Sequence, residues 1–395
     1  MNDPRIDLEH VRGVRTLRAQ PETIDDLLAL NGIPRTMVQA YLARGDALTP
    51  VPGWTRLAEV PPDIERVVVR ALRNTLFETI LPWGEDTRSP GVGAGSAGIS
   101  LESGVAAAQG ALLDADRAKE MVTRQVVDFA HEYGVSGRGC VFGVSGGGDS
   151  NALAFGLARA LPSDRLNAFT LVFRDVMTAA AADRATVLCQ DLGIAHQVYS
   201  EDETATLLRL RTSLPDMYAD FQDAFGEEAV HFFGTFLILR AALTIARERG
   251  FGDLAFGYNR EDLLAELTFT LMNGRAPLAY PIRPLGDQRI VMPVWRAPKV
   301  LLDACHPRFS LENYRERDAH TTRQRSLAFY LGHSYDSTYP GFGMSILDGA
   351  SRSFAGSFGP LLHNAELDVF VTEDATTERI ERVRLALSRH LPEVP

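Results

Sequence analysis

From Asp114 onward, short apolar runs alternate with stretches in which apolar residues recur at helical spacing. The pattern predicts a helix over 115–133, an apolar strand over Gly139–Val144, a helix from Ser150 to Leu161, and a strand over Ala168–Phe173. A helix over Ala179–Leu192, a short strand at Gln197–Tyr199, a long helix over 229–249 and a strand over Leu254–Gly257 follow. Strands too short to bury a face alone, each followed by an amphipathic helix, build βαβ units. The expected fold class is therefore α/β, a doubly wound parallel sheet, occupying about 114–300.

The flanks read differently. Residues 1–88 predict a small α+β unit: a strand at Val14–Arg18, a helix over Pro21–Asn31 opened by Pro-Glu-Thr-Ile-Asp-Asp, an extended Met37–Ala43 and a β-branched Arg66–Leu72. That order faintly resembles a β-grasp domain. Residues 89–113 contain Gly91-Val-Gly-Ala-Gly-Ser-Ala-Gly98, read as a flexible linker: no strand runs into it and no Gly-Lys-Ser/Thr follows. Residues 301–395 are expected to be a helical and irregular extension. It holds the Arg/His-rich His306–Arg325, read as a solvated, ion-paired helix face, a Gly/Ser/aromatic region at His333–Phe358 and an amphipathic segment, Thr376–Leu391. No internal repeat is found.

Composition narrows the function classes. The chain has 395 residues, 45% hydrophobic and 23% charged, which fits folded domains and neither a disordered chain nor a fibre. No apolar run reaches the roughly 20 residues of a membrane helix, and Met1-Asn-Asp-Pro-Arg lacks the form of a secretion signal, so the expectation is a cytoplasmic protein without a membrane partner. Cys140, Cys189 and Cys305 are far apart and read as buried free thiols. A formal charge of −11 disfavours a nucleic-acid surface spread over the whole protein. Of 40 Lys and Arg residues, only Lys119 and Lys299 are lysine.

The candidate chemistry begins at Val141-Phe-Gly-Val144-Ser145-Gly146-Gly147-Gly148-Asp149-Ser150-Asn151. An apolar strand runs into a glycine-rich turn, and a helix starts at once. Glycines let the backbone approach a ligand, and the turn together with the helix N-terminus aims amide donors and partial positive charge at an anion. Ser145 and Ser150 are hydroxyl donors of the right reach. Asp149, being anionic, suits a magnesium ion or a helix cap better than a phosphate.

This segment resembles the Ser-Gly-Gly-x-Asp-Ser loop of the PP-loop, or N-type ATP pyrophosphatase, superfamily, whose fold is of the adenine nucleotide alpha hydrolase type. The resemblance implies ATP and Mg²⁺ as cofactors and cleavage of ATP between its α- and β-phosphates. AMP passes to a carbonyl, carboxylate or amide oxygen, and a nitrogen or sulfur nucleophile then displaces it. It also implies an adenine contact through the backbone near Phe173, with Arg174 and Asp175 at the cleft.

A second segment, Phe256-Gly257-Tyr258-Asn259-Arg260-Glu261-Asp262, is similar to the Gly-His-His/Asn-x-Asp-Asp motif of the tRNA-lysidine synthetase and tRNA 2-thiocytidine synthetase branch. Asn259 and Asp262 match, Glu261 replaces an Asp and Tyr258 a His. The branch's following glutamate falls on Ala265, with Glu266 one place later and about 100° round a helix. Arg240 matches that branch's helical arginine. His231-Phe-Phe-Gly-Thr-Phe236 stands where thiolating members carry Cys-x-x-Cys, which removes those cluster ligands. Asp86–Gly91 and Gly98–Gly104 faintly resemble the segment of sugar amidotransferases that bears zinc-binding cysteines, here without cysteine.

The resemblance thus implies an AMP-forming ligase. Val144 and Gly146–Gly148 would cradle pyrophosphate, Ser145 and Ser150 donate to it, Asp149 and Asp262 hold Mg²⁺, and Asn259 and Arg240 position the reacting groups, with Phe173 and Gly257 lining the nucleotide. The acidic charge and absent family cysteines favour a small-molecule or peptide acceptor over tRNA. A tRNA-modifying ligase or thiolase, a non-catalytic nucleotide-binding subunit and a homo-oligomer stay open at this point.

Overall fold

The computed structural model describes residues 7–10, 13–16, 22–30, 38–45, 47–64, 66–71, 115–174, 178–306, 322–338, 341–373 and 375–392. The 89–113 linker, Asp175 and most of His306–Arg325 lie outside them. The chain divides into two compact units: Met1–Leu113 with Arg317–Ile346, and Asp114–Glu316 with Leu347–Pro395.

In the first unit, β1 (Asp7–His10) and β2 (Gly13–Thr16) form a hairpin, α1 (Ile24–Leu30) follows, and β3 (Val38–Arg44), β4 (Ala47–Val51) and β5 (Arg66–Ala71) complete a sheet in the order β2-β1-β5-β3-β4. The central pair β1 and β5 is parallel; the other pairings are antiparallel. Ile24, Leu27 and Leu28 of α1 are buried, as are Val67 and Val68 of β5.

The second unit starts with α2 (Ala115–Glu132), whose Ala118, Val122, Val126 and Phe129 fall on one helical face and are buried. Then come β6 (Cys140–Gly143), α3 (Gly148–Ala160), β7 (Leu166–Leu171), α4 (Ala179–Leu192), β8 (Ala195–Tyr199), α5 (Glu201–Leu207) and α6 (Leu214–Phe225). They are followed by α7 (Ala229–Arg249), β9 (Asp253–Ala255), α8 (Arg260–Met272), the hairpin β10 (Ile282–Leu285) and β11 (Gln288–Val291), and α9 (Lys299–Cys305). The sheet order is β10-β11-β9-β6-β7-β8. Strands β11, β9, β6, β7 and β8 run parallel, with β10 antiparallel at one edge. This is an α/β doubly wound fold.

Beyond residue 322 lie α10 (Arg323–Thr338), α11 (Phe342–Ser353), the hairpin β12 (Leu361–Asn364) and β13 (Val369–Thr372), and α12 (Thr377–Leu387). The C-terminal extension thus carries a β-hairpin besides its helices. One stretch, Leu214–Arg249, is long and apolar enough to cross a membrane by length and composition alone, although Arg240 interrupts its apolar part. In this fold its Phe221 and Phe233 are buried, their rings 5.3 Å apart.

Strand order decides where a site can form. Chain order β6, β7, β8 runs outward to one side, whereas β9 returns to the other side of β6. The loops leaving β6 and β9 therefore diverge from adjacent strand ends, and the crevice between them is the topological switch point, where open α/β sheets bind ligands.

Candidate active site

The loop leaving β6 is braced by its own side chains. Val144 N–H donates to Phe169 O at 2.9 Å, and the Thr170 hydroxyl donates to Val144 O at 2.5 Å, fixing the strand end. The Ser150 hydroxyl accepts from Ser145 N–H at 3.0 Å and donates to Gly147 O at 3.2 Å; the Asn151 amide donates to Gly146 O at 3.3 Å. Ser150 is thus turned inward as a brace and does not offer the phosphate donor expected of it. Ser145 is exposed at the turn, and its hydroxyl lies 3.2 Å from Ser150 Oγ, within hydrogen-bond distance.

Two glycines are demanded by geometry. Gly146 sits at φ +67°, and a Cβ there would stand 2.6 Å from Ala181 O and 3.3 Å from Arg184 Nε, so only glycine fits. Arg184, a buried residue of α4 absent from the sequence reading, thereby lies along the loop. Gly147 is the N-cap of α3 and brings no side chain to its first turn, which leaves the helix entrance to an external anion. Across the crevice, a Cβ on Gly257 would stand 3.3 Å from the Asp149 carbonyl carbon, so the β9 loop closes tightly on the start of α3.

Asn259 caps α8: its side chain accepts from Asp262 N–H at 2.9 Å, and its own N–H points to Asp262 Oδ2 at 3.4 Å. Its amide nitrogen also donates to Asp149 Oδ1 at 3.3 Å, joining the two sequence motifs across 110 residues. A third segment enters here that the motifs did not signal. Lys299, 2% exposed, opens α9; its ammonium donates to Asp149 Oδ1 and Asp303 Oδ1, both at 2.8 Å, and its backbone N–H donates to buried Glu261 at 2.8 Å. Its one sequence signal was its rarity.

The acids assigned to magnesium do not fit a protein-held divalent ion. Asp149 carries the Lys299 ammonium and the Asn259 amide, and Asp262 closes the α8 capping box. Among the described residues no group of three His, Cys, Asp or Glu is placed to hold a metal.

Three further residues have other partners. Arg240 donates to Asp368 O at 2.9 Å and pairs with its carboxylate at 3.4 Å on the β12–β13 turn; no bond among the described residues joins it to the loop. The Arg240 side chain is thus engaged with the β12–β13 turn. Glu266 pairs with buried Arg283 at 2.6 Å, and Arg283 also lies over the Tyr258 ring. Burial, with Glu266 adding to it, pushes the Tyr258 phenol up to about 12. The Phe173 ring is buried against Tyr218 and Phe233 at 5.5 and 5.0 Å, so any nucleotide contact there belongs to its backbone. All three thiols are buried, and burial raises each, Cys189 and Cys305 to about 12.

No family model matches the sequence, and no curated protein matches it. Among solved structures, the chain is similar to the U34-tRNA thiolase NcsA from Methanococcus maripaludis with its [4Fe-4S] cluster, at 17% identity and a TM-score of 0.48 over 61% of this chain and 80% of that one. It is also similar to the NMN synthetase from Francisella tularensis, at 14% identity and a TM-score of 0.38 over 71% and 98%. A third is the NH3-dependent NAD synthetase from Campylobacter jejuni, at 16% identity and a TM-score of 0.36 over 63% and 99%.

Proposed function

We propose that this chain is an ATP-dependent adenylating enzyme. The observation that carries the reading is the glycine turn at the switch point: Gly146 in the left-handed region, a glycine N-cap on α3 and an exposed Ser145, all at the mouth of β6. Such an arrangement grips a diphosphate through backbone donors, and donors aimed at the leaving group stabilise the charge that grows on it. An acceptor oxygen attacks the α-phosphorus, the bond to the β-phosphate oxygen breaks, and pyrophosphate departs. A nitrogen nucleophile then displaces AMP from the activated carbon.

Within that scheme the amides of Gly146–Gly148 and the Ser145 hydroxyl hold the pyrophosphate, Ser150 and Asn151 keep the turn in shape, and Asn259 ties the β9 loop to Asp149. A nitrogen donor is favoured over sulfur because Cys140, Cys189 and Cys305 are buried and protonated. The charge of −11 favours a small-molecule or peptide acceptor over tRNA. Three free thiols without a disulfide suit the reducing cytoplasm.

The test supplies ATP, a pool of candidate carboxylate and amide acceptors, and hydroxylamine as nitrogen donor, and measures AMP and pyrophosphate together. Equimolar release is expected, with Ser145→Ala slower by about 10²-fold, the usual cost of one leaving-group donor. Tight ATP binding with no pyrophosphate from any acceptor, and no exchange of labelled pyrophosphate into ATP, would assign the chain as a nucleotide-binding subunit instead.

A further inference from the structure

Lys299 is where the structure departs furthest from what the motifs imply. A buried ammonium is costly unless carboxylates surround it, and here two do: Asp149, from the first turn of α3, and Asp303, one turn along α9. The same residue's backbone fastens Glu261 of the second motif. The chain's other 39 Lys and Arg residues are 38 arginines and Lys119, and here a compact ammonium reaches both acids at 2.8 Å.

We propose that the Lys299 ammonium is the resident counter-ion of the phosphate loop, standing where the sequence pointed to a protein-held magnesium. It neutralises Asp149, so that the amides of the glycine turn meet a diphosphate without a bare carboxylate beside them. A divalent cation then reaches the site only as the salt of the nucleotide. The proposal rests on the reading of the Ser145–Ser150 turn as a nucleotide site.

Two measurements on the wild-type chain decide it. Manganese titrated into the nucleotide-free protein and followed by electron paramagnetic resonance is expected to show no stoichiometric bound ion. Calorimetry with ATP is expected to give affinities within tenfold in EDTA and in magnesium. A bound manganese ion that Asp149→Asn removes, or ATP binding that vanishes in EDTA and returns with magnesium, overturns the proposal while leaving the nucleotide site standing. ATP that fails to bind under both conditions overturns the nucleotide reading and the proposal with it. Lys299→Met adds a third readout in the folded variant. ATP affinity in EDTA should fall at least tenfold and a manganese signal should appear at the vacated acids, with Lys299→Arg failing to restore wild-type affinity; unchanged affinity and no signal count against the proposal.

Discussion

Gly146→Ala separates a structural glycine from a functional one. The substitution forces an L-residue to φ +67°, which costs about 1–2 kcal/mol. It also places a methyl 2.6 Å from Ala181 O, a backbone atom that cannot rotate away, so the turn or the start of α4 must shift. Overpacking of this kind costs about 1–3 kcal/mol more. Gly250→Ala is the matched control, because Gly250 has φ +66° and open space around its missing Cβ, leaving strain as its main cost. At about 2–4 °C per kcal/mol for a unit of this size, Gly146→Ala should melt several degrees below Gly250→Ala. Calorimetry with ATP should show Gly146→Ala weakened by at least tenfold, about 1.4 kcal/mol, and Gly250→Ala unchanged. If the two variants melt together and bind ATP alike, the close approach of the turn to α4 carries no functional weight and the argument from it fails.

Three other outcomes follow from the same contacts. Asp149→Ala removes one of two carboxylates from a buried ammonium and should cost about 3–5 kcal/mol in urea denaturation, whereas Ser145→Ala, in an exposed position, should cost less than about 0.5 kcal/mol. Arg240→Ala should lose about 1.5–3 kcal/mol, the range of a charge-assisted hydrogen bond, with ATP affinity unchanged; a selective loss of affinity would restore the role its sequence position suggested. His306 is held at about 4, first by burial and then by the Lys119 charge, and burial also lowers His196. The unfolded chain therefore takes up protons before the folded one, and the melting temperature should fall as pH drops from about 6.5 to 4. His306→Phe should flatten that slope; an equal slope in the variant would place the acid sensitivity elsewhere.

What could be read from the sequence was whatever lay close together in it. The phosphate turn is legible because strand, glycines and helix follow within about a dozen residues, and each signal is local: β-branched burial, φ freedom, helix start. Helix α7 and helix α4 have the predicted bounds, and a left-handed glycine, Gly250 and Gly193, closes each. The α6 helix and the β10–β11 hairpin were not placed, because α6 runs almost directly into α7 and β10 and β11 are four residues each.

The chain by itself determined an α/β scaffold and an anion-binding turn, since both follow from periodicity and backbone freedom within short segments. Only the tertiary structure decided how the turn is equipped. Strand β9 had to return beside β6 before Asn259 could reach Asp149, and α9 had to fold back before Lys299, 150 residues away, could neutralise it. Ion pairs between distant segments leave no period in a sequence, because the energy that selects them arises only when the sheet has brought both charges out of water.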